Sequence, residues 1–168
     1  YMGMLITGFL LLALFIGTLI ASTDVVSFFE SKLYRDEIIY ADKSDNQRLI
    51  VTRYRDDVRL FVDGSLQFSS RDEYRYHETL VHMAMSHAKS HERVLIVGGG
   101  DGLVLRQVLR YPNVKKVIMV QIDPKVARLA KEHVMIRQFN DDALNDPRAE
   151  IVNKDAYTYI ENTSDLFG

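Results

Sequence analysis

The run Gly98-Gly99-Gly100-Asp101-Gly102 stands directly after the apolar stretch RVLIV and directly before a helix-forming segment. Glycines in such a place let backbone amides approach a ligand closely, and the helix start behind them adds its free N–H donors. The spacing is G-x-G-x-G with Leu at position 103. A dinucleotide fingerprint wants Gly or Ala there, so the turn suits a nucleoside without pyrophosphate, such as an S-adenosyl ligand. Asp101 departs from a plain glycine turn: its carboxylate would hinder a phosphate and favour a cationic amine. The plainer reading is a tight strand-to-helix connection with Asp101 solvated.

Two further acidic or amide positions fall where this type of fold meets its ligand. Gln121 and Asp123 close the stretch KKVIMVQI. Asp123-Pro124 has the form of a helix cap followed by proline at the first helical position, so Asp123 is read as structural and Gln121 as the residue facing ribose hydroxyls. An amide donates to and accepts from a hydroxyl but lacks the charge of a carboxylate. Asp155-Ala156, after AEIVN, can meet the exocyclic amine of adenine or simply cap the next helix. The segment Arg71 to Glu78 gathers acids, tyrosines and His77; its plain reading is a solvated acidic helix start. His87 and His91 are spaced i, i+4 but have no third ligand nearby, so no metal site is expected.

These residues need elements to hold them. EIIYA (37–41), QRLIVTRY (47–54), VRLFV (58–62) and SLQFS (65–69) alternate as strands, with Asp63-Gly64 as a hairpin turn. From Arg71 to about Ala88 the period becomes helical, with Tyr76, Leu80 and Met83 or Ala84 on the expected inner face and His77 on the next stripe with Val81. Strands at 93–97, 115–122 and 149–153 then alternate with helices at 103–110 and 124–133, the first half of a doubly wound α/β sheet.

The chain has 168 residues, 21 Lys and Arg against 23 Asp and Glu, and no cysteine. Every charged side chain lies after Ser22. The near-neutral balance and the lack of a dense basic patch exclude long-range attraction to nucleic acid. The missing cysteines exclude disulfides, thiolate metal sites and a thiol nucleophile, and suit a reducing compartment. The 22 uncharged residues YMGMLITGFLLLALFIGTLIAS have the length of a membrane span. The expected organisation is thus a transmembrane helix over 1–22, a linker over 23–36, a small antiparallel β domain over 37–70 and a Rossmann-like domain over 71–168. The chain begins with Tyr and stops in what should be mid-domain, so an internal fragment is expected.

Taken together, these residues resemble the spermidine synthase family, the polyamine aminopropyltransferases, in its membrane-anchored bacterial branch. The resemblance runs from about Ile38 to Phe167 through QRLIV, LFVDGSLQFSSRDEYRYHE, VLIVGGGDG and DPRAEIVNKDA, motifs in order at matching spacing. It implies transfer of an aminopropyl group from decarboxylated S-adenosylmethionine to putrescine, giving spermidine and methylthioadenosine, with no metal or other cofactor. It implies that Gln47, Gly98, Gly100, Gly102, Gln121, Asp155 and Ala156 hold the nucleoside, and that Tyr76, His77, Asp101 and, more weakly, Gln67 meet the aminopropyl or polyamine end. Gln121 departs from the family, which has Glu or Asp there. The family's proton-accepting aspartate is expected beyond Gly168, so no catalytic residue is assigned within the chain, and the chain alone is expected to be inactive. The expected setting is a cell membrane crossed more than once by the complete protein, with the catalytic part cytoplasmic and paired as a dimer. Two other classes share some of these features: an S-adenosylmethionine methyltransferase, and a noncatalytic membrane-tethered polyamine or nucleoside binder.

Overall fold

The computed structural model describes residues 2–168 and divides them into two compact units, 1–38 and 39–168. The first unit is dominated by one long helix, α1 (Met2–Leu33). Among the described residues no helix is long and apolar enough to cross a membrane. α1 continues past the uncharged segment to Glu30 and Lys32. The expectation of a transmembrane helix over 1–22 is corrected accordingly, and with it the expected membrane localisation with a cytoplasmic catalytic part; the membrane partner is left without support. The side chains at positions 1, 4, 5 and 19–22, which that expectation also used, lie outside the described residues.

Four strands follow, β1 (Glu37–Lys43), β2 (Arg48–Tyr54), β3 (Asp57–Val62) and β4 (Ser65–Ser69), in the spatial order β1-β2-β3-β4. β3 and β4 are joined at Asp63-Gly64, whose φ angles of 49° and 76° put both residues in the left-handed region that a tight hairpin needs. Strand alternation sends Leu49, Val51, Val58, Leu60 and Phe68 inward.

α2 (Glu73–His87) then leads into a parallel sheet, β5 (Arg93–Val97), β6 (Lys116–Gln121) and β7 (Ala149–Asn153), ordered β5-β6-β7. Between these strands run α3 (Leu103–Leu109), α4 (Pro124–Glu132) and α5 (Val134–Phe139), and α6 (Ala156–Asn162) follows β7. All six residues of β6 are shielded from solvent to some degree, as a strand with neighbours on both sides and helices across its face should be. The inward residues of the antiparallel sheet, of α2 and of the parallel sheet merge in a single hydrophobic cluster, in which the Phe68 and Phe139 rings meet edge to face at 6.4 Å. The second unit therefore has one shared core, and both sheets can contribute side chains to one site.

The inner face of α2 differs from the expectation. Glu73, His77, Val81 and Met85 are buried, whereas Tyr76, Leu80 and Met83 are exposed, Tyr76 by 65%. Apolar periodicity sends Glu73 and His77 to solvent because it cannot see the partner that lets them be buried. That partner is Arg106, 33 residues later.

Candidate nucleoside and amine site

The C-terminal ends of β5 and β6 open on one cavity of about 810 Å³, roofed by α2 and the antiparallel sheet. Its floor is the glycine turn. Gly98 N–H donates to Val120 O at 2.8 Å, fixing the turn to the end of β6. Gly100 must lack a Cβ, since one would lie 2.9 Å from Val126 Cγ1 and 3.0 Å from Gln121 Cδ. Gly102 has φ 82° and immediately precedes α3, where a side chain would also crowd Asn140. The glycines thus allow backbone, Gln121 and α3 to converge on one spot.

Asp101 lies on this floor and is buried. Its Oδ1 accepts from Leu103 N–H at 2.9 Å, at the start of α3, and Oδ2 has no hydrogen-bond partner among the described residues. Burial pushes its carboxyl above the ordinary carboxylate range, and the negative charge of Glu73 adds to this; the Leu103 N–H, His77 and Arg106 pull the other way. A cation brought to Oδ2 would relieve that strain on the ionised form.

Behind Asp101 stands a buried polar chain. Arg106 donates from Nη2 to both Glu73 carboxylate oxygens at 2.8 and 3.0 Å, and from Nη1 to Phe139 O. His77 Nδ1 lies 2.7 Å from Glu73 O and 3.1 Å from Glu73 Oε2. Both are acceptors, so Nδ1 donates to them. The exposed Tyr76 ring meets the His77 ring edge to face at 5.1 Å.

Gln47 reaches the same cavity from the turn between β1 and β2, and its Oε1 is buried without a hydrogen-bond partner. Gln121 ends β6 and is buried beside Gly100. Gln67 also lines the cavity, although its Nε2 donates to Ser65 O on its own strand. Of the residues expected at a site, Gln47, Gln67, Tyr76, His77, Gly98, Gly100, Asp101 and Gln121 are brought together here. Gly102, Asp155 and Ala156 are not among the lining residues. Asp155 caps α6, accepting from Thr158 N–H at 2.9 Å and from Thr158 Oγ1 at 3.0 Å, and these bonds hold its carboxyl below the usual range. Asp123 caps α4 through Lys125 N–H at 2.9 Å, as its proline neighbour suggested.

Sequence reasoning missed Glu73 and Arg106, the buried pair that stands behind Asp101 outside the cavity lining. The i, i+4 spacing of Glu73 and His77 was the available signal for the first. Among the described residues no three His, Cys, Asp or Glu side chains gather as a metal site.

A glycine turn with an acid in it, a buried histidine on the roofing helix and an antiparallel sheet sharing one core with a parallel one are the features against which known proteins are compared. Residues 73–168 match the spermine/spermidine synthase domain, and the chain belongs to that family. It is 46% identical over 154 residues to the polyamine aminopropyltransferase of Oceanobacillus iheyensis, covering 92% of this chain and 30% of that protein. It is 47% identical over 147 residues to polyamine aminopropyltransferase 2 of Ralstonia nicotianae, covering 88% and 29%. The chain thus spans less than a third of the length of these curated relatives. The crystal structure of spermidine synthase from Thermotoga maritima matches with a TM-score of 0.69 at 36% identity, over 74% of this chain and 43% of that one. A spermidine synthase in complex with the transition state analogue AdoDATO matches equally, over 74% and 42%.

Proposed function

We propose that the complete protein is a polyamine aminopropyltransferase that moves the aminopropyl group of decarboxylated S-adenosylmethionine to putrescine. The observation that carries this is the cavity that Gln47, Gln121, Asp101 and His77 line together with the glycine turn. In this reading Gln47, Gln121 and the glycine turn hold the nucleoside, while Asp101, His77 and Tyr76 receive the amine end. Asp155 and Ala156 stay with the proposal as adenine contacts, a role that asks Asp155 to serve a ligand beside its cap bonds.

The reaction asks for little beyond orientation. The acceptor nitrogen attacks the aminopropyl carbon bound to the sulfonium, that carbon–sulfur bond breaks, and sulfur leaves as the neutral thioether of methylthioadenosine. The attacking nitrogen sheds one proton. The sulfonium is already a good leaving group, so alignment of the amine in line with the breaking bond is the main contribution, and no metal or covalent enzyme intermediate is called for. A buried anion at Asp101 would hold the propyl ammonium of the donor, whose carbon carries no carboxylate to repel it.

The full-length protein incubated with both substrates is expected to form spermidine and methylthioadenosine in equal amounts, as read by chromatography. Consumption of S-adenosylmethionine with methyl transfer, or no product with either donor, would overturn the proposal.

A further inference from the structure

Ser44 lies in the turn between β1 and β2, and its side chain is buried although it touches none of the cavity. Its Oγ accepts from Gln47 N–H at 2.7 Å and from Asn46 N–H at 3.1 Å, while Ser44 N–H donates to Gln47 O at 2.8 Å. The same hydroxyl donates to Asp123 Oδ2, 79 residues away. Asp123 is fully buried, and its other oxygen caps α4. Lys125 repeats the connection nearby, donating from Nζ to Lys43 O at 2.7 Å and to Asp42 Oδ2 at 3.0 Å.

The positions of these bonds matter. Gln47 is three residues past Ser44, and Gln121 is two residues before Asp123. One hydroxyl therefore ties the turn that carries Gln47 to the end of the strand that carries Gln121, two of the three glutamines that line the cavity. A serine in a turn needs only its local bonds. A buried carboxylate that already caps a helix does not need a second partner from another sheet to do so. Their meeting is explained if the turn must be held in register with the end of β6.

We propose that Ser44, through Asp123, is a positioning residue that holds Gln47 at the separation from Gln121 required by the nucleoside. This rests on the nucleoside reading of the cavity given above. Without the hydroxyl the turn loses both Oγ bonds and the tie to Asp123, and Gln47 Oε1, which has no other protein partner among the described residues, is free to swing out of line.

The test is calorimetric titration of methylthioadenosine into the full chain, the Ser44→Ala, Ser44→Thr and Asp123→Asn variants, and each in a Gln47→Ala background. Ser44→Ala and Asp123→Asn are each expected to weaken binding about tenfold, the worth of roughly one charge-assisted hydrogen bond. Ser44→Thr keeps the hydroxyl and is expected to restore most of the affinity. In the Gln47→Ala background the Ser44 and Asp123 effects should disappear, which a general loosening of the fold would not produce. Asp123→Asn keeps an acceptor for Lys125 N–H and so decides the matter should Ser44→Ala fail to fold. Unchanged affinity in a folded variant, or an equal loss with and without Gln47, overturns the positioning role. Absence of binding by the unaltered chain instead overturns the nucleoside reading.

Discussion

An Asp101→Asn protein is expected to bind decarboxylated S-adenosylmethionine roughly 10- to 150-fold more weakly, the range of one hydrogen bond to a charged group, while its affinity for methylthioadenosine stays within about twofold. The two ligands share the nucleoside; the donor adds the aminopropyl ammonium and the sulfonium charge, so the contrast reads what the Asp101 carboxylate contributes to holding a cation. Asparagine retains an acceptor for Leu103 N–H and fills the same space, which leaves the start of α3 in place. The unliganded protein should respond in the opposite sense. Burial raises the Asp101 carboxyl above the ordinary range in the folded state, so the native protein holds that proton to higher pH than the unfolded chain does. Stability therefore falls as pH rises through the interval between the two, and above it the ionised carboxylate is a standing cost. The variant is expected to unfold at a higher temperature than the unaltered chain near neutral pH, with the gap closing as pH falls to the ordinary carboxylate range. Equal losses for both ligands, or a variant less stable at neutral pH, would remove Asp101 from the amine end.

Glu73→Ala is expected to be the most damaging single change to stability in the second unit, costing about 3–5 kcal/mol. The Glu73 and Arg106 side chains are only 8% and 10% exposed and meet through two short bonds. Removing the carboxylate leaves the guanidinium buried with Phe139 O as its remaining partner and takes the Oε2 contact from His77. Replacing both partners, Glu73→Leu with Arg106→Met, should cost far less than the single change, because no unpaired charge remains. Urea denaturation at constant slope checks both. A Glu73→Ala loss below about 1 kcal/mol would mean that solvent reaches the pair freely.

The contrast between what was and was not readable in the sequence follows from the range of each interaction. The strands, the Asp63-Gly64 hairpin and the Asp123-Pro124 cap are encoded within a few residues, and each stands where its local pattern put it. The glycine turn was legible for the same reason: strand, glycines and helix are contiguous. The inner face of α2 was not, because burying Glu73 and His77 depends on Arg106, which no helical period can reveal. Ser44 escaped notice because its decisive partner is 79 residues away. Asp155 shows a different limit. Its cap geometry and a ligand role use the same sequence signature, and in the fold the cap bonds are made while the side chain lies outside the cavity lining. The apolar N-terminal run is helical, but its helix runs on to Glu30 and Lys32, and among the described residues no helix is long and apolar enough to cross a membrane.

In the proposed function Asp101 selects a nucleoside donor bearing an ammonium but no carboxylate. The most direct measurement is parallel titration of the protein with decarboxylated S-adenosylmethionine and with S-adenosylmethionine. A carboxylate carried to within about 4 Å of Asp101 would be repelled by roughly 4 kcal/mol at an effective dielectric constant of about 20, so the decarboxylated ligand should bind at least about tenfold more tightly. Equal affinity, or tighter binding of S-adenosylmethionine, would contradict the account.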